Sequence, residues 1–263
     1  MTDAALPSAS KLSGSFLSKK AIDSSWEVWA KMRPLVISAM VASAVLGAIF
    51  AFLKVDLGVS PGNAFPQGTF VEALQVLLQS AIVTPLAVAT HRMILKGEVT
   101  PGTIGFKAPY HWMFFAWLCG LGLVPLLVMN LLLTVSPILA MVPAIIGFFL
   151  GLYSVLLFPA IAIESPSTGW RDRLNTSWKQ IRGHVWLFIR AILLAYIPLL
   201  VSLLFFIGVF IVVALVLAGL TVPRQVWEPL MAGLFSVFQP AGILIGAAVA
   251  SWLYLYLKDK PTA

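Results

Sequence analysis

Charge is what this sequence has least of. Among 263 residues only 10% are Asp, Glu, Lys or Arg, where a soluble domain carries about a quarter. Acidic residues are the rarer kind, at 10 against 17 basic ones. A chain so poor in charge cannot cover a water-exposed globular surface, which excludes an ordinary soluble domain. The single cysteine, Cys119, excludes an internal disulfide and supplies no metal-ligand spacing. The three histidines, His91, His111 and His184, include no pair four residues apart. Titratable side chains so few and so scattered form no set of nucleophile, base or metal ligands. The expectation is therefore a protein that is not an enzyme, with no catalytic, cofactor-binding or metal residues. What the sequence does have is apolar side chains: 60% of the residues are hydrophobic and the mean hydropathy is +0.98, which marks an integral membrane protein.

Stretches of about 20 apolar residues predict an all-α, polytopic fold with six membrane spans, near 35–53, 70–90, 112–134, 138–163, 187–217 and 230–257. A segment 1–34 precedes this domain, 35–257, and a short tail, 258–263, follows it. The first apolar run opens at Leu35 without the short core and small-residue cleavage site of a signal peptide. The run from Leu187 to Val222 has 36 residues, too few for two minimal spans of about 17 residues and a turn. It reads as one long span, tilted or kinked at Pro198. With the N-terminus inside, every Lys and Arg except Lys54 and Arg224 falls on the cytoplasmic side. That bias predicts that both termini are cytoplasmic. It also accounts for much of the net charge of +7 without a nucleic-acid partner.

Five of the basic residues fall in "FPAIAIESPSTGWRDRLNTSWKQIRGHVWLFIR", residues 158–190. On a helical wheel Trp170, Leu174, Trp178, Ile181 and Val185 lie within an arc of about 80°. Arg171, Arg173, Lys179 and Arg182 belong to the same segment. Ser167 or Thr168 is placed to cap its start, with Asp172 in the first turn. The expectation is an amphipathic helix over 169–185, flat on the cytoplasmic leaflet and contacting anionic lipid. A similar element opens the chain, where Ile22, Trp26, Trp29 and Ala30 share a face flanked by Lys19, Lys20, Lys31 and Arg33. Aligning the two superposes Trp26 on Trp178 and points to a repeated unit of interfacial helix plus helical hairpin.

The stretch from 158 resembles the bacterial YciC-like group and the membrane domain of some glycerophosphodiester phosphodiesterases. The matching residues are Pro159, Ala160, Ala162 and Glu164, then Ser177 and Trp178, then Arg182, Gly183 and Trp186. "PLAVATHRMILKGE", 85–98, resembles an element of alphaproteobacterial membrane proteins through His91, Arg92, Leu95, Gly97 and Glu98. In the phosphodiesterases the chemistry belongs to a separate soluble domain, so the resemblance implies a membrane module without activity. Glu164, a carboxylate at the membrane edge, is expected to pair with Arg171, Arg173 or Arg182.

Polar groups at membrane depth are few: Gln75, Gln79, Asn130 and Gln239, with Glu72 in the first turn of the second span. Such amides more often bridge helices than bind a substrate. Gly242, Gly246 and Ala250 offer a close-packing face, inside the bundle or for another subunit. The leading expectation is a non-catalytic inner-membrane scaffold, assembly factor or accessory subunit, without a cofactor, whose partners are anionic lipids and other membrane protein subunits. The alternative is a small transporter or lipid-handling protein.

Overall fold

The structure, a computed structural model, describes residues 13–56, 67–99, 106, 108–163, 169–218 and 224–258, apart from the side chains of 55, 56, 67, 214–218, 224 and 225. Ten α-helices and no strand occur among the described residues. They are α1 (Gly14–Lys31), α2 (Arg33–Asp56), α3 (Gln67–Lys96), α4 (Pro109–Leu133), α5 (Pro137–Tyr153), α6 (Leu157–Ile163), α7 (Trp170–Arg182), α8 (Val185–Ala218), α9 (Arg224–Ser236) and α10 (Phe238–Leu257). Five are long and apolar enough to cross a membrane, or six if the bent pair α5–α6 is one span. The protein is an all-α, multi-pass membrane protein.

Local chemistry sets the helix ends. Ser13 starts α1 by accepting a hydrogen bond from Phe16 N at 3.2 Å. Proline opens α4 and α5, where its missing N–H has no intrahelical partner to lose. Gly97, with φ of 70°, ends α3 in the left-handed region that a side chain disfavours.

Helices α3 and α10, which run parallel, form the central pair: Gln79 and Gln239 share one end and His91 and Ser251 the other. Helices α2 and α4 flank α3, while α1 and α8 flank α10; α9 lies along α2 and α5 along α4. Close approach comes from small residues: a Cβ on Gly233 would stand 2.9 Å from the carbonyl oxygen of Ala44 across the α2–α9 contact. Large apolar side chains of α5 and α8, such as Ile138, Phe148, Leu204 and Phe205, face outward, as lipid-facing helices require.

Two boundaries differ from the sequence reading. The region 138–163 is not one straight span, because α5 and α6 meet at a bend of 48°. Pro159 has no N–H to donate to the preceding turn, so it sits readily in the first turn of a new helix. The region 230–257 does form one candidate span, Val226–Leu257, with a one-residue turn at Val237 and Pro240 in the first turn of α10. Helix α3 begins at Gln67, so Glu72 lies in its second turn; there is no acidic residue in the first. The carboxylate is thus deeper than a helix-dipole role would place it. By contrast, 185–218 is a single helix of 34 residues, about 51 Å long, as expected for one overlong span.

Candidate functional site

One face of α3 carries Glu72, Val76, Gln79, Val83, Ala87 and His91 at spacings of four, three, four, four and four. Its two ends are built differently.

At the Glu72 end the helices separate around a cavity of about 1070 Å³ between α3, α4 and α10. From Thr69 to Val83 it follows α3 for about 21 Å. All the polar groups that the sequence places at membrane depth meet here: Glu72, Gln75 and Gln79 from α3, Asn130 from α4 and Gln239 from α10. Four of them do bridge helices, through three hydrogen bonds. Asn130 Nδ2 donates to Glu72 Oε2 at 3.1 Å, Gln79 Nε2 to Ser43 Oγ at 2.7 Å, and Lys54 Nζ to Gln75 Oε1 at 3.2 Å. Four of the five lining polar residues are therefore bridging ones as well. The Thr69 hydroxyl is buried on this wall without a hydrogen-bond partner among the described residues. Ser80 and Thr134 also line it, and most of the remaining lining is aliphatic, including Leu121, Leu126 and Met129. Leu118 and Ile243 close the inner end, and they also line a second cavity of about 170 Å³ that reaches His91 and Tyr196.

At the His91 end the polar groups of one cluster are packed and satisfied, although the buried Nδ1 of nearby His111 has no hydrogen-bond partner among the described residues. His91 Nδ1 and Ser251 Oγ share a buried hydrogen bond of 2.7 Å that ties α3 to α10. Arg92 donates through Nε to Glu98 Oε2 at 2.8 Å and through Nη1 to the carbonyl of Ala162 at 2.8 Å. Its guanidinium also lies over the Tyr110 ring at 4.7 Å. The left-handed Gly97 turns the chain so that Glu98 reaches Arg92. The motif His91, Arg92, Gly97, Glu98 is thus a clamp joining α3, α4, α6 and α10. His91 is a buried interhelical partner. His111 is also buried, against Phe106 and Tyr110, and His184 contacts the Gln180 carbonyl at 3.2 Å. Among the described residues no three His, Cys, Asp or Glu side chains gather closely enough to hold a metal ion.

The amphipathic helices α1 and α7 both sit at the His91 end. Trp252 Nε1 donates to Ser24 Oγ at 2.9 Å, and Gln180 Nε2 reaches the Leu257 carbonyl at 3.5 Å. Their buried faces correct the helical-wheel reading. In α7 the inward residues are Arg173, Ser177 and Ile181, a face rotated by about 60° from the apolar stripe. Arg173, expected at the lipid interface, is only 5% exposed. Ile181 is fully buried, and Leu174 and Val185 pack on the protein core. Trp170 and Trp178 remain 49% and 40% exposed, beside Trp117 and Tyr153 respectively. Arg171, Lys179 and Arg182 stay outside. The stripe is therefore split: its aliphatic members hold the helix to the bundle and its tryptophans form the rim. Helix α1 divides in the same way, burying Leu17, Ala21, Ser24 and Val28 and leaving Trp26 68% exposed.

The other motif residues have structural places. Ser177 Oγ donates to the Tyr153 carbonyl at 2.8 Å, satisfying an acceptor at the α5–α6 break. Pro159, Ala160 and Ala162 are buried on α6. Gly183 ends α7, and Trp186 is 76% exposed. Glu164 lies outside the described residues, as do Ser167 and Thr168; the N-cap of α7 is Gly169, without a side-chain hydrogen bond. Gly242 and Gly246 face Tyr196 of α8, whose hydroxyl donates to the Gly242 carbonyl at 2.6 Å, and Ala250 is buried. That small-residue face is filled from within the bundle.

No family model, curated protein or solved structure matches this chain. The cavity stands as a candidate site on its own geometry.

Proposed function

We propose that this protein is a small transporter or lipid-handling protein that takes a ligand into the cavity between α3, α4 and α10. The observation that carries the reading is the convergence of Glu72, Gln75, Gln79, Asn130 and Gln239 on one space of about 1070 Å³. Polar groups inside a membrane are costly, and when they surround an open volume rather than close on one another they mark a pathway or a binding site. We place the protein in a bacterial inner membrane with both termini cytoplasmic. The described basic residues of α1, α7 and the ends of α3 and α10 gather at the His91 end, and Lys54 lies at the other. In that orientation the cavity opens in the outer half of the bilayer, and Leu118 with Ile243 separates it from the inner half. The exposed tryptophans and Arg171, Lys179 and Arg182 seat the bundle against anionic lipid.

Native mass spectrometry of protein released from mild detergent tests this. The wild type should carry a small-molecule adduct that Met129→Trp, which fills the cavity, does not. An identical adduct on the variant, or none on either, would sink the reading. Large co-purifying subunits without an adduct would leave the scaffold or accessory-subunit role as the better account.

A further inference from the structure

We infer that the cavity selects an organic cation with an apolar body, an amine or quaternary ammonium group, and that Glu72 is its counter-ion. The inference rests on the proposed function and names its ligand class. Glu72 is the one ionisable residue among the described lining. Its partner is the neutral amide of Asn130, and among the described residues no cation stands within ion-pair distance of it. Lys54, at the same end of the bundle, directs its ammonium to Gln75 and does not line the cavity.

A carboxylate in a low-dielectric site is costly unless a counter-charge reaches it. Nothing described in the bundle supplies one, so the complementary ligand is cationic. The amide oxygens around Glu72 accept N–H donors, and the unpartnered Thr69 hydroxyl adds another polar contact on the same wall. A space of about 1070 Å³ is far larger than a bare metal ion needs. Its aliphatic walls at Leu121, Leu126 and Met129 suit hydrocarbon instead. With no Lys or Arg in the described lining, a ligand of net negative charge would meet repulsion from Glu72 without a compensating cation. The cationic group can come from a free amphiphile or from an aminophospholipid headgroup, and the chemistry at Glu72 is the same.

Tetraphenylphosphonium and tetraphenylborate have nearly the same shape and opposite charge, so they separate charge from fit. In equilibrium binding to detergent-solubilised protein, the wild type should bind the phosphonium and not the borate. Glu72→Gln should weaken phosphonium binding by about 30-fold while keeping the wild-type unfolding temperature. Displacement of the phosphonium by added phosphatidylethanolamine, with phosphatidylglycerol inert, would identify an aminophospholipid as the source. Displacement by dodecylamine and not by either lipid would identify a free cation. Equal binding of both probes, unchanged in Glu72→Gln but lost in Met129→Trp, would overturn the cation inference and leave the cavity as a binding site. Binding of neither probe, together with an adduct that Met129→Trp does not remove, would overturn the site itself.

Discussion

The two ends of α3 carry similar side chains and treat them in opposite ways. At the His91 end each polar group of the clamp has a partner: His91 has Ser251, and Arg92 has Glu98, the Ala162 carbonyl and the Tyr110 ring. At the Glu72 end the carboxylate has one neutral partner, Thr69 has none among the described residues, and a cavity lies between the helices. A membrane bundle keeps buried polar groups for two reasons, to fix helices together or to meet something that enters. Residue type does not tell these apart. Satisfaction does, because a closed network has nothing left to offer a ligand.

If the His91 end is structural, breaking it should cost stability. The largest effect is expected for Arg92→Met, which keeps the aliphatic stem and leaves Glu98 and the Ala162 carbonyl without their donor. The loss should be about 3 kcal/mol, read as a lower unfolding temperature in detergent. An unchanged temperature would show that the clamp holds nothing. His91→Leu should cost about 1 to 2 kcal/mol by stranding the Ser251 hydroxyl, and the double variant with Ser251→Ala should recover part of it. Additive losses in that pair would mean the 2.7 Å contact contributes no coupling. Gly97→Ala should cost about 1 kcal/mol, since φ of 70° strains any residue with a Cβ. If it proves neutral, the turn that brings Glu98 to Arg92 is not fixed by glycine.

Much of the fold was legible because long apolar runs and the one-sided distribution of Lys and Arg are direct membrane signals. The break at Ser154–Leu156 and the turn at Val237 were not, since the residues around them are as apolar as the helices they divide. Helix α7 was found, but its orientation was misjudged. A wheel that counts apolar residues cannot anticipate that Ser177 turns inward to a carbonyl freed by a helix break, or that Arg173 goes with it. Each polar residue of the cavity could be named from the sequence, but not their meeting. That depends on the antiparallel register of α3 and α4, which brings Glu72 to Asn130 across 58 positions. The available hint was spacing: Glu72 and Gln79 lie seven apart with Gln75 between, and Asn130 and Thr134 lie four apart.

The smallest expected effect sharpens the comparison most. Glu72→Gln preserves the shape of the side chain and keeps an oxygen to accept from Asn130, while removing a charge that has no described counter-ion. Losing a charge of that kind relieves desolvation and sacrifices no ion pair, so stability should stay within about 0.5 kcal/mol of the wild type or rise slightly. Side-chain hydrogen bonds between membrane helices average about 0.6 kcal/mol, so even a weakened contact to Asn130 stays small beside the Arg92 effect. Unfolding temperatures of the two variants, measured in the same detergent, decide the matter. A loss for Glu72→Gln as large as that for Arg92→Met would make Glu72 a structural ion partner and erase the distinction between the two ends. A neutral result, combined with the loss of phosphonium binding, would assign the carboxylate to a ligand and the clamp to the fold.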